Sequence, residues 1–377
     1  MATHIGPAIR FAAAMAALTS VSCAGSGAEP RGALNMNEEA MLVTWPHAAR
    51  TQLAAVVTRF AHTKPGAYAV FDADETIWRH DLEEALLPYV EAQGRIRLDT
   101  LSPSLLPVAL HPGESLTSYY RRLCNIDESV GFLWLGEAFA GLSLAELRDA
   151  VRAMMASRAP LRTTLSTEDG QHPIEIRVPE IYQQQVELIH TLEAHGIRVY
   201  VVTACLEELA RMVLCDPAFG IGLPPQNVVG LRMLLRRPDG SVVAGWPGPE
   251  PPEAIDARAW QSEERLELRL TPFLAAIPTW YAGKVAAIKS RIDPALRPVL
   301  VAGDSRSDFY MLMYSAVAEG GARLFVRRDE EHWQELQSAI ALRSGASDAA
   351  WHADEGAALG WIPVDSTELA TLPPLAR

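Results

Sequence analysis

The sequence of 377 residues is poor in three features, and each scarcity argues against a class of protein. Its four cysteines form no Cys-x-x-Cys pair, so neither a zinc cage nor a disulfide scaffold is indicated. No apolar run approaches the ~18 residues that a membrane-spanning helix needs. Positive charge is also scarce: the net charge of −13 at pH 7 argues against nucleic acid as a partner.

The most informative feature that the sequence does contain is a pair of carboxylates in the motif Asp72-x-Asp74-x-Thr76. The motif directly follows residues 67–71, whose apolar side chains predict a buried strand. Two acids at the end of a strand need a compensating cation, and hard Mg²⁺ takes oxygen ligands together with substrate phosphates. One carboxylate can then attack phosphorus while the other handles the leaving-group proton. Taken alone, the pair is equally typical of a strand that ends in an acidic turn.

Two further apolar runs also end in polar side chains, which favours the catalytic interpretation. Residues 198–202 lead into Thr203, and a later run leads into Asp304, with Asp308 four residues beyond it. Lys284, one of only three lysines in the chain, opens a stretch of helical spacing shortly before Asp304. Because open α/β sheets bind ligands outside the carboxyl ends of their strands, we expect these side chains to meet at one edge of a sheet.

The stretch between the first and second runs is far longer than a strand crossover requires. It contains several segments with helical spacing, and we interpret it as a helical cap that closes over the metal site and excludes water. Beyond it, Pro238-Asp239-Gly240 predicts a hairpin, and residues 247–252 predict an exposed loop. The predicted cap helices cover residues 81–93, 116–125, 133–140 and 144–157.

In this order the motifs resemble the haloacid dehalogenase superfamily of phosphatases, over residues 67–328. The resemblance implies an α/β fold, with a Rossmann-like parallel sheet flanked by helices and an inserted helical cap domain. The catalytic core would comprise residues 37–77 and 179–377, and the cap residues 78–178. Dehalogenases of the superfamily lack the second aspartate of the first motif, so its presence here favours phosphate chemistry.

The resemblance implies a role for each matching position in the transfer step. Asp72 would be the nucleophile that forms an aspartyl-phosphate. Asp74 would protonate the leaving oxygen and later activate water. Thr203 would hydrogen-bond a phosphoryl oxygen, and Lys284 would neutralise charge on the phosphoryl group and the nucleophile. These roles agree with phosphoryl transfer, which depends on positioning and on cations near the phosphoryl oxygens.

The same resemblance implies a Mg²⁺ site and raises one question about activity. The ligands would be Asp72, the backbone carbonyl of Asp74, and Asp304, with Asp308 as a further ligand or a supporting partner. Glu75 departs from the family, which usually has a small or polar residue such as Gly or Asn at this position. A carboxylate there repels an anionic substrate unless it points away or engages a cation.

Within the superfamily, residues 78–89, 118–124 and 278–284 resemble the bacterial phosphorylcholine phosphatases. That resemblance implies an exported, Mg²⁺-dependent phosphomonoesterase for phosphocholine or a similar alkylammonium ester. A quaternary ammonium donates no hydrogen bonds, so aromatic faces and carboxylates are expected to hold it. The candidate contacts are Glu83, Glu84, Tyr119, Tyr120, Trp134 and Trp280.

Four of these candidate contacts also have a purely structural interpretation. Asp81-x-x-Glu84 has the spacing of a capping box, which would give Glu84 a local role at a helix start. Tyr119, Tyr120 and Trp134 lie in apolar helical stretches, where aromatic side chains pack in cores. Two other functions therefore stay open: a phosphatase for another small ester such as phosphoserine or phosphoethanolamine, and an inactive exported binding lipoprotein.

The first 30 residues have the pattern of an export leader. Arg10 precedes the short apolar residues 11–18, and small residues follow. Cys23 lies in a context that resembles a lipoprotein cleavage site, which predicts a periplasmic enzyme or one lipid-anchored to the cell envelope through Cys23. The alternative is an unstructured extension, since residues 25–29 are small and polar.

Overall fold

The computed structural model describes residues 41–62, 65–244, 260, 262–345 and 356–374. The predicted leader over residues 1–30, Cys23 and the predicted loop over residues 247–252 lie outside this range. Within it, no helix combines the length and the apolar character that crossing a membrane demands.

Short strands and helices alternate along the described chain. The strands are β1 (Tyr68–Phe71), β2 (Trp78–Arg79), β3 (Leu161–Thr167), β4 (Gly170–Ile176), β5 (Glu180–Ile181), β6 (Arg198–Leu206), β7 (Val228–Leu231), β8 (Met233–Arg236), β9 (Val242–Val243), β10 (Arg269–Leu274), β11 (Leu300–Gly303), β12 (Ala322–Arg327) and β13 (Trp361–Asp365). The α-helices are α1 (His47–Phe60), α2 (Leu82–Ala92), α3 (Leu116–Ile126), α4 (Glu128–Ala138), α5 (Leu144–Ser157), α6 (Gln183–Ala194), α7 (Glu207–Leu214), α8 (Glu263–Leu266), α9 (Ala282–Arg291), α10 (Phe309–Met313) and α11 (Glu330–Gly345).

Within the described residues, six parallel strands form the central sheet, in the order β13-β12-β11-β1-β6-β7. The strand that precedes Asp72, β1, therefore lies between β6, which carries Thr203, and β11, which precedes Asp304. In the register, Phe71 pairs with Val201 on one side and with Ala302 on the other. This confirms the predicted Rossmann-like sheet and places Asp72, Thr203 and Asp304 on, or directly after, three neighbouring strands.

The central strand is buried on both faces, which explains its continuous apolar sequence. Ala69 and Phe71 belong to the larger hydrophobic cluster, whereas Tyr68 and Val70 belong to a second cluster on the opposite face. This alternation follows from the two-residue repeat of a strand. The backbone that leads into Asp72 is therefore packed from both sides.

Helices α2 to α5 and the antiparallel hairpin β3–β4 occupy the long stretch between β1 and β6. Local caps fix where these helices begin. Asp81 accepts the backbone N–H of Glu84 at 2.8 Å at the start of α2. Ser143 and Glu146 form a reciprocal capping box at the start of α5. The observed bounds of α2, α3 and α5 lie within one residue of the predicted ones, but α4 begins five residues earlier than predicted because Asp127 caps it.

Candidate active site

Asp72 lies at the carboxyl edge of the central sheet, directly after β1. Its backbone N–H donates to the carbonyl of Ala302 in β11 at 2.9 Å, so the sheet pairing continues through this residue. The residue is only 6% exposed. Burial raises the pKa of Asp72 to about 6; Asp308 adds to this shift, whereas Lys284 opposes it.

Lys284 lies in the first turn of α9 and contacts two carboxylates at once. Its Nζ is 2.7 Å from Asp72 Oδ1 and 2.5 Å from Asp308 Oδ1, and its side chain has no exposed surface. Burial disfavours the ammonium, but the two carboxylates outweigh it and raise the pKa of Lys284 above its usual value. The lysine is therefore a fixed positive charge beside the candidate nucleophile.

Three buried carboxylates form a candidate metal site. Asp72, Asp304 and Asp308 each offer one oxygen, and these oxygens lie within 4.8 Å of one another. Burial raises the pKa of Asp304 well above its usual value, and the neighbouring negative charges of Asp308 and Asp72 add to the shift. Such a cluster of hard oxygen ligands could hold a metal cation, and Mg²⁺ fits the donor set.

Asp308 also shapes the loop that carries Asp304. Its Oδ2 accepts the backbone N–H groups of Asp304 at 3.1 Å and Ser305 at 3.2 Å, while its Oδ1 binds Lys284. A Cβ at Gly303 would lie 2.7 Å from the Cβ of Asp308, so the loop closes this tightly only around glycine. Both oxygens of Asp308 are thus engaged within the protein, which suits a supporting partner of the metal site.

The carboxyl group of Asp74 is held by two donors on one oxygen. Its Oδ1 accepts the indole N–H of Trp78 and the backbone N–H of Leu82, each at 2.8 Å. Burial raises the pKa of Asp74 well above its usual value, and the charge of Asp81 adds to the shift. A raised pKa favours the protonated form of the carboxyl group, and that form can serve as a proton donor.

Thr203 lies within β6 rather than at its end. The strand continues to Leu206, and its pairing with β7 is irregular between Val202 and Leu206. The prediction that this strand ends at the hydroxyl is therefore wrong, because the three residues that follow are also apolar and two of them, Cys205 and Leu206, are buried. Thr203 Oγ1 accepts the backbone N–H of Cys205 at 3.2 Å.

A cavity of about 660 Å³ opens over these residues between the sheet edge and the cap. Asp72, Asp74, Thr203 and Asp304 line its sheet side. Among the described residues, ten Asp or Glu side chains and four arginines contribute to its wall. This excess of carboxylates disfavours a purely anionic ligand and favours one that also carries positive charge.

On the cap side, the predicted contacts Glu83, Glu84 and Tyr120 line the same cavity. Glu83 is only 5% exposed, and its Oε1 has no hydrogen-bond partner among the described residues. Burial raises the pKa of Glu83 well above its usual value, and Asp81 adds to the shift. Glu84 lies 3.7 Å from Arg121, whose charge opposes the rise that burial causes in the pKa of Glu84.

The other three predicted substrate contacts do not line the cavity, which corrects their placement. Tyr119 donates its hydroxyl to the carbonyl of Val108 at 2.9 Å, and its ring packs on Trp134 with centroids 5.1 Å apart. Trp134 donates its indole N–H to the carbonyl of Leu105 at 2.7 Å. Both side chains are buried inside the cap. Trp280 packs against Phe132, a residue that does line the cavity.

Two further residues reach the site that the motifs did not assign to it. Arg328 directly follows β12, and its Nη1 lies 3.2 Å from Asp304 Oδ2. Its position after a sheet strand was the available signal. Glu75 lines the cavity with a left-handed φ of 56°. Burial raises the pKa of Glu75, and the charge of Arg328 opposes that rise. The guanidinium of Arg328 therefore partly neutralises this carboxylate.

Comparison with known proteins places these features in context. A family model described as haloacid dehalogenase-like hydrolase matches residues 69–313. Phosphorylcholine phosphatase of Pseudomonas aeruginosa is 40% identical over 308 residues, which cover 80% of this chain and 86% of that protein. A solved structure of a conserved functionally unknown protein from Anaerococcus prevotii matches with a TM-score of 0.54 at 16% identity, over 80% of this chain and 91% of that one. The structural match supports the fold alone.

Proposed function

The chain belongs to the haloacid dehalogenase-like hydrolases, and we propose that it is a Mg²⁺-dependent phosphomonoesterase for phosphocholine or a similar alkylammonium ester. One observation carries the substrate class. The cavity lined by the candidate nucleophile Asp72 is also lined by Glu83, a buried carboxylate whose Oε1 has no hydrogen-bond partner among the described residues. A substrate with phosphate at one end and a cation at the other satisfies both.

The chemistry at the sheet edge follows from the residues there. Mg²⁺ held by Asp72 and Asp304, with Asp308 as a supporting partner, would supply positive charge for the phosphoryl oxygens. The carboxylate of Asp72 attacks phosphorus and forms an aspartyl-phosphate, while the bond from phosphorus to the ester oxygen breaks. Asp74 gives its proton to that oxygen, so the alcohol leaves uncharged. Asp74 then takes a proton from water, which attacks the aspartyl-phosphate and releases phosphate and the free Asp72.

Two neighbours support this transfer without forming bonds to phosphorus. The ammonium of Lys284 is 2.7 Å from Asp72 Oδ1 and neutralises charge that builds up beside the nucleophile. The hydroxyl of Thr203 lies at the cavity wall and can donate a hydrogen bond to a phosphoryl oxygen. Both groups are buried and held by neighbouring elements, so little reorganisation is needed during the reaction.

The cap supplies the distant end of the site. A trimethylammonium group cannot donate hydrogen bonds, but its positive charge would favour the ionised form of Glu83, which burial disfavours. The ring of Tyr120 offers a face at the same wall, and each such cation–π contact contributes about 0.5–2 kcal/mol. This part of the site discriminates between esters by their alcohol, because phosphate is common to all of them.

A panel of phosphate esters tests the proposal. With Mg²⁺, phosphocholine should be hydrolysed with a higher kcat/KM than phosphoserine or p-nitrophenyl phosphate, and a chelator should abolish phosphate release. Asp72→Asn should abolish it as well, while circular dichroism shows an intact fold. Equal turnover of phosphocholine and phosphoserine would contradict the ammonium site. Failure of every ester would favour the inactive binding protein.

A second substrate class is favoured by one contact. Arg121 lies 3.7 Å from Glu84 at the cavity wall, so the cap presents both charges side by side. Such a pair suits an alcohol that carries an ammonium and a carboxylate, as in phosphoserine. Arg121→Gln separates the alternatives, since it should weaken binding of phosphoserine and leave phosphocholine little changed.

Export forms part of the proposal. It is supported by the leader pattern over residues 1–30, with Arg10 before a short apolar run. The proposal also includes a lipid anchor, which would attach the enzyme to the cell envelope through Cys23. Cell fractionation with metabolic lipid labelling tests this step. Cys23→Ser should lose the label, and an unlabelled wild-type protein would contradict the anchor.

A further inference from the structure

Two adjacent residues of the loop before Lys284, Trp280 and Tyr281, both contact helix α4 of the cap. The ring of Trp280 packs edge-on against Phe132, with centroids 5.9 Å apart. The hydroxyl of Tyr281 donates to the carboxylate of Glu128. Glu128 and Phe132 are four residues apart, so they share one face of α4, and both line the cavity. The loop therefore holds the cavity-facing side of that helix.

The same loop is fixed to the catalytic side of the molecule. Thr279 donates its hydroxyl to the carbonyl of Thr203 at 2.6 Å. At Gly283 a Cβ would lie 2.0 Å from the carbonyl oxygen of Pro278, so the loop folds tightly back on itself. Lys284 follows immediately and binds Asp72. Residues 279–284 thus contact Thr203, the candidate nucleophile Asp72 and helix α4.

The backbone of Tyr281 is held in an uncommon conformation. Its φ is 49° and its ψ is −126°, a region that residues with a Cβ seldom adopt. Such a conformation persists only where the surrounding structure imposes it. Burial raises the pKa of the Tyr281 hydroxyl, and Glu128 adds to the shift, so the hydroxyl stays protonated and donates.

Glu128 acts on the same region of the cavity as the other cap carboxylates. The thiol of Cys124 has its pKa raised to about 11, first by burial and then by the charges of Glu84, Glu128 and Asp81, with Tyr120 opposing. These carboxylates therefore converge around Cys124. Glu128 is exposed at the rim and needs a partner to hold its side chain in one place, which Tyr281 supplies.

We infer that Tyr281 is a positioning residue that fixes Glu128 at the cavity rim as a further carboxylate for the cationic end of the substrate. Trp280 supports Tyr281 by packing against Phe132 of the same helix. We call Trp280 and Tyr281 together the cap clamp. The clamp couples recognition of the alcohol to the loop that carries Lys284. This inference rests on the proposed function, since it names a specificity determinant of the same site.

The test compares Tyr281→Phe with the wild type on two substrates. The variant removes only the hydroxyl. Loss of one hydrogen bond should raise KM for phosphocholine about three- to tenfold with kcat unchanged. KM for p-nitrophenyl phosphate, whose alcohol has no cation, should stay within about twofold. Tyr68→Phe is the matched control, because it removes a hydroxyl that donates to the carbonyl of Leu296. It should leave KM for both substrates unchanged.

Two further variants separate positioning from general support of the fold. Glu128→Gln keeps an oxygen that accepts from Tyr281 but removes the charge, so it should also raise KM for phosphocholine selectively. The double variant should behave like Glu128→Gln alone, because both changes act through one carboxylate. Equal effects of Tyr281→Phe on both substrates, or no effect on either, would overturn the inference.

A measurement without turnover keeps this inference distinct from the proposed function. Amide hydrogen exchange over Glu128–Ala138 should be faster in Tyr281→Phe than in the wild type, because α4 loses a contact that holds it. Unchanged exchange would overturn the clamp even in an active enzyme. A wild type that hydrolyses no ester, with faster exchange in the variant, would instead contradict the proposed function alone.

Discussion

Lys284 shows how one side chain depends on elements far apart in the chain. It lies on α9, yet its Nζ contacts Asp72 after β1 and Asp308 after β11. Neither carboxylate would be stable in this buried place without a positive charge nearby. The lysine therefore stabilises both buried carboxylates, and in the proposed reaction the same contact with Asp72 places its charge beside the nucleophile.

Lys284→Met should lower turnover by about 10²–10³, because it keeps most of the side-chain length and removes the charge beside the transferring group. The rate of phosphate release at saturating Mg²⁺ measures this effect, and circular dichroism on the same sample reports folding. Lys289→Met is the matched control, since Lys289 is exposed on the same helix and packs over Tyr314. A similar fall in both variants would argue against a specific role for Lys284.

At this scale the sequence predicted the motif residues better than the cap residues. Asp72, Asp304 and Asp308 follow strands whose apolar runs are easily recognised, so their meeting at one edge was predictable. The aromatic residues Tyr119 and Trp134 follow a helical repeat, which does not tell a cavity-facing side from a core-facing one. Which face of a helix lines the cavity depends on how the helices pack against one another. This packing could not be predicted from the sequence of one helix.

At the scale of elements, α7 is tied to its neighbours through a buried carboxylate. Glu207, the first residue of this helix, accepts the backbone N–H of Gly230 in β7 at 3.1 Å. It also pairs with Arg211 at 2.8 Å, Arg232 at 3.0 Å and Arg291 at 2.5 Å. Arg291 ends α9, the helix that begins with the Lys284 turn. This network connects the sheet to the helix that carries Lys284.

The network gives stability a defined dependence on pH. Burial alone would raise the pKa of Glu207, but Arg211, Arg291 and Arg232 outweigh it and lower the pKa to about 2. The folded state therefore binds this proton less tightly than the unfolded state. The stabilisation is present above the usual pKa of a glutamate and is lost as the pH falls from about 4.5 toward 2. By linkage it amounts to about 3 kcal/mol.

Urea denaturation between pH 2 and 7 measures that loss. Glu207→Gln should lower the free energy of unfolding at pH 7 by several kcal/mol, about 3–5 for a broken buried pair, and should flatten the pH dependence. Glu168→Gln, an exposed change in the β3–β4 turn, should leave the curve unchanged. Parallel curves for the wild type and Glu207→Gln would contradict this account.

Element bounds were predictable where a local signal marks them. The capping side chains Asp81 and Ser143 mark the starts of α2 and α5, and Pro238-Asp239-Gly240 lies between the paired strands β8 and β9. The end of β6 was not predictable, because apolar residues continue past Thr203. The early start of α4 shows the opposite case, in which the cap residue Asp127 was present but went unrecognised.

At the scale of the whole molecule, the parallel sheet brings together residues that are more than two hundred positions apart. Asp72 and Asp304 meet because β1 and β11 are neighbours, and the cap covers the edge at which both strands end. The sequence indicated this general arrangement through the order of the motifs. It did not reveal how many carboxylates the cap contributes, because their convergence depends on the docking of the whole cap.

Magnesium binding should therefore stabilise the entire fold, since the three carboxylates approach one another only in the folded state. At a hundredfold excess over Kd the free energy of unfolding should rise by about 2.7 kcal/mol. Thermal unfolding with Mg²⁺ and with a chelator measures the change in Tm without any substrate. Asp304→Asn should remove most of this shift, and an equal shift in that variant would place the metal elsewhere.

The carboxylate-rich wall of the cavity has a consequence for the end of the catalytic cycle. In the proposed reaction, the cation of the ester accompanies its phosphate into a chamber with ten acidic side chains and four arginines in its wall. Hydrolysis separates the two charges, and orthophosphate then faces the acidic side chains without its former companion. Because acidic side chains outnumber arginines there, electrostatic repulsion would hasten the departure of phosphate and hinder its return.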